Sequence, residues 1–202
     1  AHCITRLVPV EYVAGARSDL WDRFLNDATG GDHAFAGFLQ RAVGYSLTGD
    51  TREEKLFMVL GPTGSGKSTF LEAVKAVMGD YARVADFETF IVKRDAGIRN
   101  DIAALAGRRL VCSIEVEEGR RLAEAVLKSL TGRDTITARF LHQEFFEFRP
   151  QFKLWLAAND PPKLRHQDEA MWRRILRLPF DARVPAARRD PTLKDRLCSD
   201  PG

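Results

Sequence analysis

Residues 61–68 contain the side chains and spacing of a phosphate-binding loop, because Gly61-Pro62-Thr63-Gly64-Ser65-Gly66-Lys67-Ser68 fits G-x-x-x-x-G-K-[ST] at every position. Glycines allow the backbone to turn tightly, so that successive N–H groups converge on phosphate oxygens at a helix N-terminus. Lys67 is expected to reach the β- and γ-phosphates, and the Ser68 hydroxyl to ligate Mg²⁺. The predicted nucleotide contacts are Gly61, Pro62, Thr63, Gly64, Ser65, Gly66, Lys67, Ser68 and Thr69.

A group of glutamates follows the apolar run 110–114. Hydrolysis of a Mg-nucleotide needs carboxylates that hold the metal and polarise the attacking water, at the end of a strand next to the phosphate-loop strand. We therefore predict Glu115 as the metal-side carboxylate, and Glu117 or Glu118 as the residue that orients water. A solvated acidic loop is the alternative, which the phosphate loop makes less favourable.

Asn159 follows the apolar run 152–158, which is predicted to end at the same edge of the sheet. An asparagine there can hydrogen-bond both a γ-phosphate and the lytic water, although Asn-Asp-Pro-Pro is also strong turn chemistry. Arg173 and Arg174 leave a similar choice. They are either two exposed arginines without a role, or one of them completes the nucleotide site of a neighbouring subunit in a ring.

The elements that must position these residues follow from the apolar pattern. Two helices are predicted in the first fifty residues, separated by Asn26 to Asp32, and a further helix runs from about Ser68 to Met78. Strands are predicted at 56–60, 110–114 and 152–158, a helix at 122–130, and two β-arms at 135–139 and 145–148. Because the strands are almost uninterrupted apolar runs, we expect an α/β domain with a parallel sheet covered on both faces.

Composition excludes several classes of protein. The 202 residues are 45% hydrophobic and 29% charged, which is typical of a globular chain, and no apolar run is long enough to span a membrane. The three cysteines (Cys3, Cys112 and Cys198) are too far apart to indicate a disulfide framework or a zinc site, so a cytoplasmic location is expected. Residues 1–118 hold 14 Lys and Arg against 17 Asp and Glu, and residues 119–202 hold 17 against 11. The basic second half is compatible with a polyanionic partner.

Together these motifs resemble the superfamily 3 helicase module at the C-terminal end of phage and plasmid primase–helicases, a family that shares ancestry with the poxvirus primase–helicase. The resemblance covers roughly residues 35–197. Besides the phosphate loop it depends on the segments 38–49, 79–81, 109–122, 128–134, 153–159 and 172–175.

The resemblance implies an AAA+-like P-loop NTPase with a parallel sheet core, a β-hairpin insertion and a small N-terminal helical part. It further implies a hexameric ring that hydrolyses ATP with Mg²⁺ and pulls single-stranded DNA from a forked duplex through its channel, typically 3′ to 5′. The gene would belong to a phage, prophage or plasmid in a bacterial host, with a primase domain upstream in a longer chain. The absence of a starting Met also indicates a fragment.

The resemblance also implies roles by position. The loop 61–68 becomes the Walker A motif, the glutamates at 115, 117 and 118 the Walker B region, Asn159 the polar sensor, and Arg173 or Arg174 the arginine finger. Lys128 to about Gln143 is the additional motif of the superfamily. The usual lysine near the hairpin tip is replaced here by Leu141-His142-Gln143-Glu144, so DNA contacts are assigned to Lys128, Arg139, His142 and Gln143. His142 could equally be an ordinary exposed turn residue.

Three segments are expected: an N-terminal helical segment at 1–50 resembling an oligomerisation collar, the ATPase domain at 51–182, and a tail at 183–202 that begins a further segment. Two other functions stay open. A small-molecule P-loop kinase would place its arginines in a lid over its own site. An ATP-binding scaffold would lack unwinding activity.

Overall fold

The computed structural model describes residues 5–92, 99–116, 121–164, 169–185 and 189–200, with only the backbone of Glu115 and Val116. The helices are α1 (Asp19–Ala28), α2 (His33–Leu47), α3 (Lys67–Met78), α4 (Asn100–Ala103), α5 (Glu124–Thr131), α6 (Glu169–Trp172) and α7 (Leu193–Cys198). The strands are β1 (Leu56–Leu60), β2 (Ala82–Val84), β3 (Leu110–Val116), β4 (Ile136–Ala138), β5 (Phe146–Phe148), β6 (Lys153–Ala158) and β7 (Ile175–Pro179). Two 3₁₀ turns cover Gly79–Tyr81 and Phe87–Phe90.

Five strands form a parallel sheet in the order β2-β3-β6-β1-β7, and β4 pairs with β5 as a separate antiparallel hairpin. The predicted parallel core and the hairpin are therefore confirmed. The expectation that the glutamate strand would be the direct neighbour of the phosphate-loop strand is wrong, because β6 lies between β1 and β3. Apolar periodicity identifies strands but carries no information on their order in the sheet.

The sheet is covered on both faces, which accounts for its uninterrupted apolar strands. In β1, Phe57 and Val59 face a core formed with α1, α2, α3 and α7. Leu56, Met58 and Leu60 face a second core, to which α5 contributes. β6 alternates in the same way, with Trp155 stacked on Phe57 at 4.3 Å between ring centroids. The central strands thus hold the carboxyl edge of the sheet in a fixed place.

The two N-terminal helices pack directly on the sheet domain. Ser18 and Asp32 cap α1 and α2 by accepting hydrogen bonds from backbone N–H groups at 2.9 Å. Trp21 of α1 stacks on Phe70 of α3 at 5.8 Å. Residues 5–18 contain no helix, so the helical prediction for the first fifty residues holds only from Asp19 onward.

The last described helix packs on the same core. α7 lies against α3, and Leu197 is buried there. Part of the segment expected to begin a further unit is thus integrated into the domain that carries the phosphate loop. Within the described ranges, none of the helices has the length and apolarity needed to cross a bilayer.

Candidate nucleotide-binding site

The phosphate loop connects the end of β1 to the start of α3, as predicted. Gly61 is required by a close approach, since a Cβ there would lie 2.0 Å from the carbonyl oxygen of Phe180. Gly66 is the N-cap of α3 with φ of 90°, a left-handed conformation that favours glycine. Its missing Cβ would also lie 3.1 Å from the Phe24 ring. Packing therefore demands glycine at position 61, and the left-handed backbone favours it at position 66.

The loop borders a cavity of about 400 Å³ at the carboxyl edge of the sheet. Its walls come from three separate elements: the loop and first turn of α3, the bulged end of β3, and the end of β6. The lining residues are Thr63, Gly64, Ser65, Gly66, Lys67, Ser68, Thr69, Ile114, Ala157, Ala158 and Asn159. Seven of the nine predicted nucleotide contacts line this space; Gly61 and Pro62 do not.

Among the described residues that line this cavity, Lys67 is the one cation, and its Nζ contacts the loop. The residue is only 7% exposed, and burial lowers the pKa of its ammonium group. Nζ donates to the carbonyl oxygens of Gly61 (2.5 Å) and Pro62 (2.9 Å), to Asn159 Oδ1 (3.1 Å) and to Ser65 Oγ (3.5 Å). These acceptors are all neutral, so the positive charge is not cancelled within this group. An anionic phosphate suits that site electrostatically.

Asn159 reaches the same point from the neighbouring strand. Ala158 lies opposite Leu60 in the register, and Asn159 follows at the carboxyl edge. The sheet thus brings Lys67 and Asn159 together although 92 residues separate them in the chain. Asn159 also lines the cavity, so it contacts the Lys67 ammonium group and borders the open space.

The oxygen donors at this edge fit Mg²⁺ bound through a nucleotide. Ser68 lies in the first turn of α3 and lines the cavity. Among the described residues, no three His, Cys, Asp or Glu side chains come together as a metal cage. Mg²⁺ usually takes one or two protein oxygens plus phosphates and water, so a full cage is not needed.

Glu115 lies on β3 near this edge, and the register between β3 and β6 shifts between Ser113 and Val116. Such bulges are common beside active sites. Glu117 and Glu118 lie outside the described residues, so the choice between them remains a prediction.

Arg173 and Arg174 lie at the opposite edge of the sheet, just before β7 begins. β7 is parallel to β1, and its five residues, about 17 Å, separate the arginines from the phosphate-loop edge. Arg174 forms a salt bridge with Glu54 at 2.8 Å and donates to the Ala170 carbonyl at 2.9 Å. Arg173 is exposed, and its carbonyl accepts a hydrogen bond from Lys55 Nζ. The structure thus distinguishes two residues that the sequence left equivalent.

Three of the four predicted DNA contacts lie in the loop between β4 and β5. Arg139 stacks over the Phe145 ring at 4.6 Å. His142 is exposed at the tip with φ of 60°, and the Gln143 N–H closes the turn on the Phe140 carbonyl at 3.1 Å. Lys128 lies instead in the last turn of α5, half-buried.

One residue beside the cavity was not predicted from the sequence. The guanidinium of Arg189 lies against the phosphate loop, with Nη2 2.9 Å from the position that a Cβ on Gly64 would take. No motif marks this arginine, which follows β7 in a segment without regular structure.

The chain matches a known protein family. The sequence pattern of a family of unknown function (DUF5906) matches residues 59–174, more than half of the chain. The chain belongs to this family. The DUF5906 match begins within β1 and ends at Arg174, so it includes the cavity, the hairpin and both candidate finger arginines.

Beyond DUF5906, the chain is 30% identical over 151 residues to "Putative helicase L207/L206" of Acanthamoeba polyphaga mimivirus, covering 74% of this chain and 16% of that protein. The chain therefore spans about a sixth of that curated relative's length. Among solved structures, it is similar to the NrS-1 C-terminal region, with a TM-score of 0.70 and 13% identity over 98% of this chain and 46% of that one. The JCV helicase has a TM-score of 0.51 and 12% identity, over 90% of this chain and 51% of that one. The DUF5906 chain thus has the α/β fold of P-loop NTPases and is a helicase-like domain.

Proposed function

We propose that this chain is the ATP-hydrolysing motor of a DNA helicase or translocase. The observation that carries the proposal is one hydrogen bond beside the phosphate loop, which Lys67 Nζ donates to Asn159 Oδ1 at 3.1 Å. The loop follows β1 and Asn159 follows β6, the neighbouring strand. The sequence similarity to a viral protein named as a helicase supports a helicase function for this chain. The chemistry it requires is transfer of a γ-phosphoryl group to water.

The residues of this chain would divide that work. Lys67 exchanges its bonds to the Gly61 and Pro62 carbonyls for phosphate oxygens, which offer a full negative charge. Asn159, already next to that ammonium, holds the γ-phosphate or the attacking water in line. Ser68 and Glu115 are the residues assigned to hold Mg²⁺, which supplies charge neutralisation on the β- and γ-oxygens. Glu117 or Glu118 is proposed to orient the water.

Arg173 is the residue we propose to act in a neighbouring subunit's site. Its distance along β7 from its own phosphate loop favours action between chains, and its exposure leaves it accessible. Arg174 has a salt bridge to Glu54 instead, which makes it the weaker candidate for the finger. A ring of six subunits, with α1 and α2 of the 1–50 segment near the collar, is the assembly that the proposal assumes.

The hairpin loop is the proposed contact with single-stranded DNA. It presents Arg139, His142 and Gln143 together with the exposed Phe145 ring, and Lys128 lies on the helix that precedes the hairpin. Arginine and aromatic side chains are typical of surfaces that bind single strands without sequence preference. The longer protein is proposed to be a primase–helicase of a phage or plasmid, with the primase upstream.

The test is ATP turnover by the assembled chain with and without a single-stranded oligonucleotide. We expect turnover to rise with the oligonucleotide and the stimulation to fall as salt increases. A His142→Ala, Arg139→Ala double variant should keep basal turnover but lose stimulation. Arg149→Ala, an exposed arginine at the base of the hairpin, is the matched control. Turnover that is unchanged by single strands in an assembled oligomer would contradict the proposal.

A further inference from the structure

We infer that Arg189 is a second cationic contact for the phosphate chain of the nucleotide, supplied by the same subunit as the phosphate loop. The inference deepens the proposed function, since it rests on the nucleotide site proposed above. It adds a residue that no sequence motif assigns. The nucleotide class it predicts is one with at least two phosphates.

Arg189 lies directly against the phosphate loop. Gly64 lines the cavity and has φ of 82°, and Arg189 lies where a side chain at position 64 would project. From the site of that missing Cβ, Nη2 is 2.9 Å and Cζ is 3.2 Å away. The guanidinium therefore packs against the backbone of the loop that is expected to surround the phosphates.

Arg189 is held in place by hydrogen bonds on both sides of it in the chain. Its Nε donates to the Val184 carbonyl at 3.1 Å. The next residue, Asp190, accepts from the Thr192 N–H at 2.8 Å and from Arg196 at 2.8 Å, which fixes the turn into α7. Because α7 packs on α3, the helix that begins at the phosphate loop, the position of Arg189 is tied to the loop itself.

The guanidinium of Arg189 has donors that suit a phosphate ligand. Within the described ranges, Nη1 and Nη2 have no acceptor and no carboxylate partner, so their donors are available to a ligand. Arginine presents a planar fork of donors that matches phosphate oxygens. Among the described residues, Lys67 is the one cation that lines the cavity, and a nucleoside triphosphate carries more negative charge than one lysine can balance.

The proposed arrangement gives Arg189 and Arg173 different partners. Arg189 serves the phosphate loop of its own chain, whereas Arg173, at the opposite sheet edge, can serve only a neighbour. Mixing variants separates these cases. Arg173→Ala chains should recover turnover when mixed with Lys67→Met chains, because the neighbour supplies the missing arginine. Arg189→Ala chains should not recover in the same mixture.

The decisive experiment measures binding of Mg-ATP and of inorganic tripolyphosphate, which has neither base nor ribose, to the wild-type chain and its variants. We expect Arg189→Ala to weaken both by about tenfold, as for the loss of one charge-assisted hydrogen bond. Arg189→Lys should lose less, and Arg183→Ala, an exposed arginine in the same segment, should bind both as tightly as wild type. Thermal unfolding of each variant serves as the check on folding.

Tripolyphosphate binding that is unchanged in Arg189→Ala overturns the inference, as does an equal loss in Arg183→Ala. Failure of the proposed function gives another result: no stimulation by single strands, with the tenfold loss in Arg189→Ala still present. Mg-ATP binding that is unaffected by Lys67→Met would remove the nucleotide site and the inference together.

Discussion

Two buried lysines lie at opposite ends of the same central strand. Lys153 begins β6 at the amino edge of the sheet, and Lys67 lies beside Asn159, where β6 has ended at the carboxyl edge. They are 2% and 7% exposed, and burial lowers the pKa of both, to about 8 for Lys153. By burial and charge alone the two residues are hard to tell apart.

Their surroundings differ. Lys153 Nζ lies 4.1 Å from the centre of the Tyr45 ring and donates to the Thr48 carbonyl at 2.7 Å, so it closes the C-terminus of α2. Lys67 instead borders a cavity of about 400 Å³. A buried cation that faces open space is a candidate for binding a ligand, whereas one packed against a ring and a helix end is a structural cap. Lowered pKa values alone do not identify a site.

The largest expected effect comes from exchanging each lysine for methionine. Lys67→Met should lower ATP turnover by about 100- to 1,000-fold, because one charged donor to the transferred phosphoryl group is lost. Lys153→Met should leave turnover within about twofold but lower the free energy of unfolding by about 2 kcal/mol, since the Thr48 carbonyl loses its donor. Steady-state hydrolysis and urea unfolding measure the two effects. Loss of turnover without loss of stability in Lys153→Met would contradict the structural role assigned to Lys153.

A smaller effect is expected from Asn159. Asn159→Ala should reduce kcat by about 10- to 100-fold with little change in KM, because the residue positions water or the γ-phosphate in the transition state. Asp160→Ala, the exposed neighbour, is the control. Equal losses in both variants would point to the turn rather than to the asparagine.

The amino edge offers a second contrast, between Arg174 and Arg173. Arg174→Ala should lower the free energy of unfolding by about 1 kcal/mol, since it breaks a partly exposed salt bridge to Glu54. Arg173→Ala should leave stability within about 0.5 kcal/mol, as for an exposed surface residue, and reduce turnover only in assembled chains. Thermal unfolding and hydrolysis distinguish the two. A loss of turnover confined to Arg174→Ala would indicate that Arg174, rather than Arg173, acts in the neighbouring subunit's site.

The smallest effect is a pH dependence of stability. Between pH 8 and 10.5 the unfolded chain keeps the Lys153 proton that the folded chain has lost, so this group makes stability rise with pH there. Cys112 acts in the opposite direction, because burial raises its pKa to about 11. Since both chains contain Cys112, the difference between wild type and Lys153→Met isolates the lysine. That difference should change steadily across the window, and a flat difference would contradict the packing described for Lys153.

The sequence predicted the parts of the molecule that depend on local pattern. β1, β3 and β6 are uninterrupted apolar runs, and the phosphate loop has its own spacing, so each is visible in a short window. The meeting of the phosphate loop with Asn159 could be anticipated because parallel strands end at one edge.

The parts that were missed depend on tertiary structure. β7 contains the exposed Arg177 and Pro179 and lies at the edge of the sheet, so it lacks the apolar signal of a central strand. α7 has six residues, too few for a helical period to stand out. The capping by Lys153 and the position of Arg189 both join segments far apart in the chain, as does the insertion of β6 between β1 and β3.

Calorimetric titration with Mg-ATP tests the central claim, that the loop 61–68 holds a nucleotide. We expect one nucleotide per chain for the wild type and binding at least about 100-fold weaker for Lys67→Met. A wild-type chain that binds no Mg-ATP, or a Lys67→Met chain that binds it as tightly as the wild type, would contradict it.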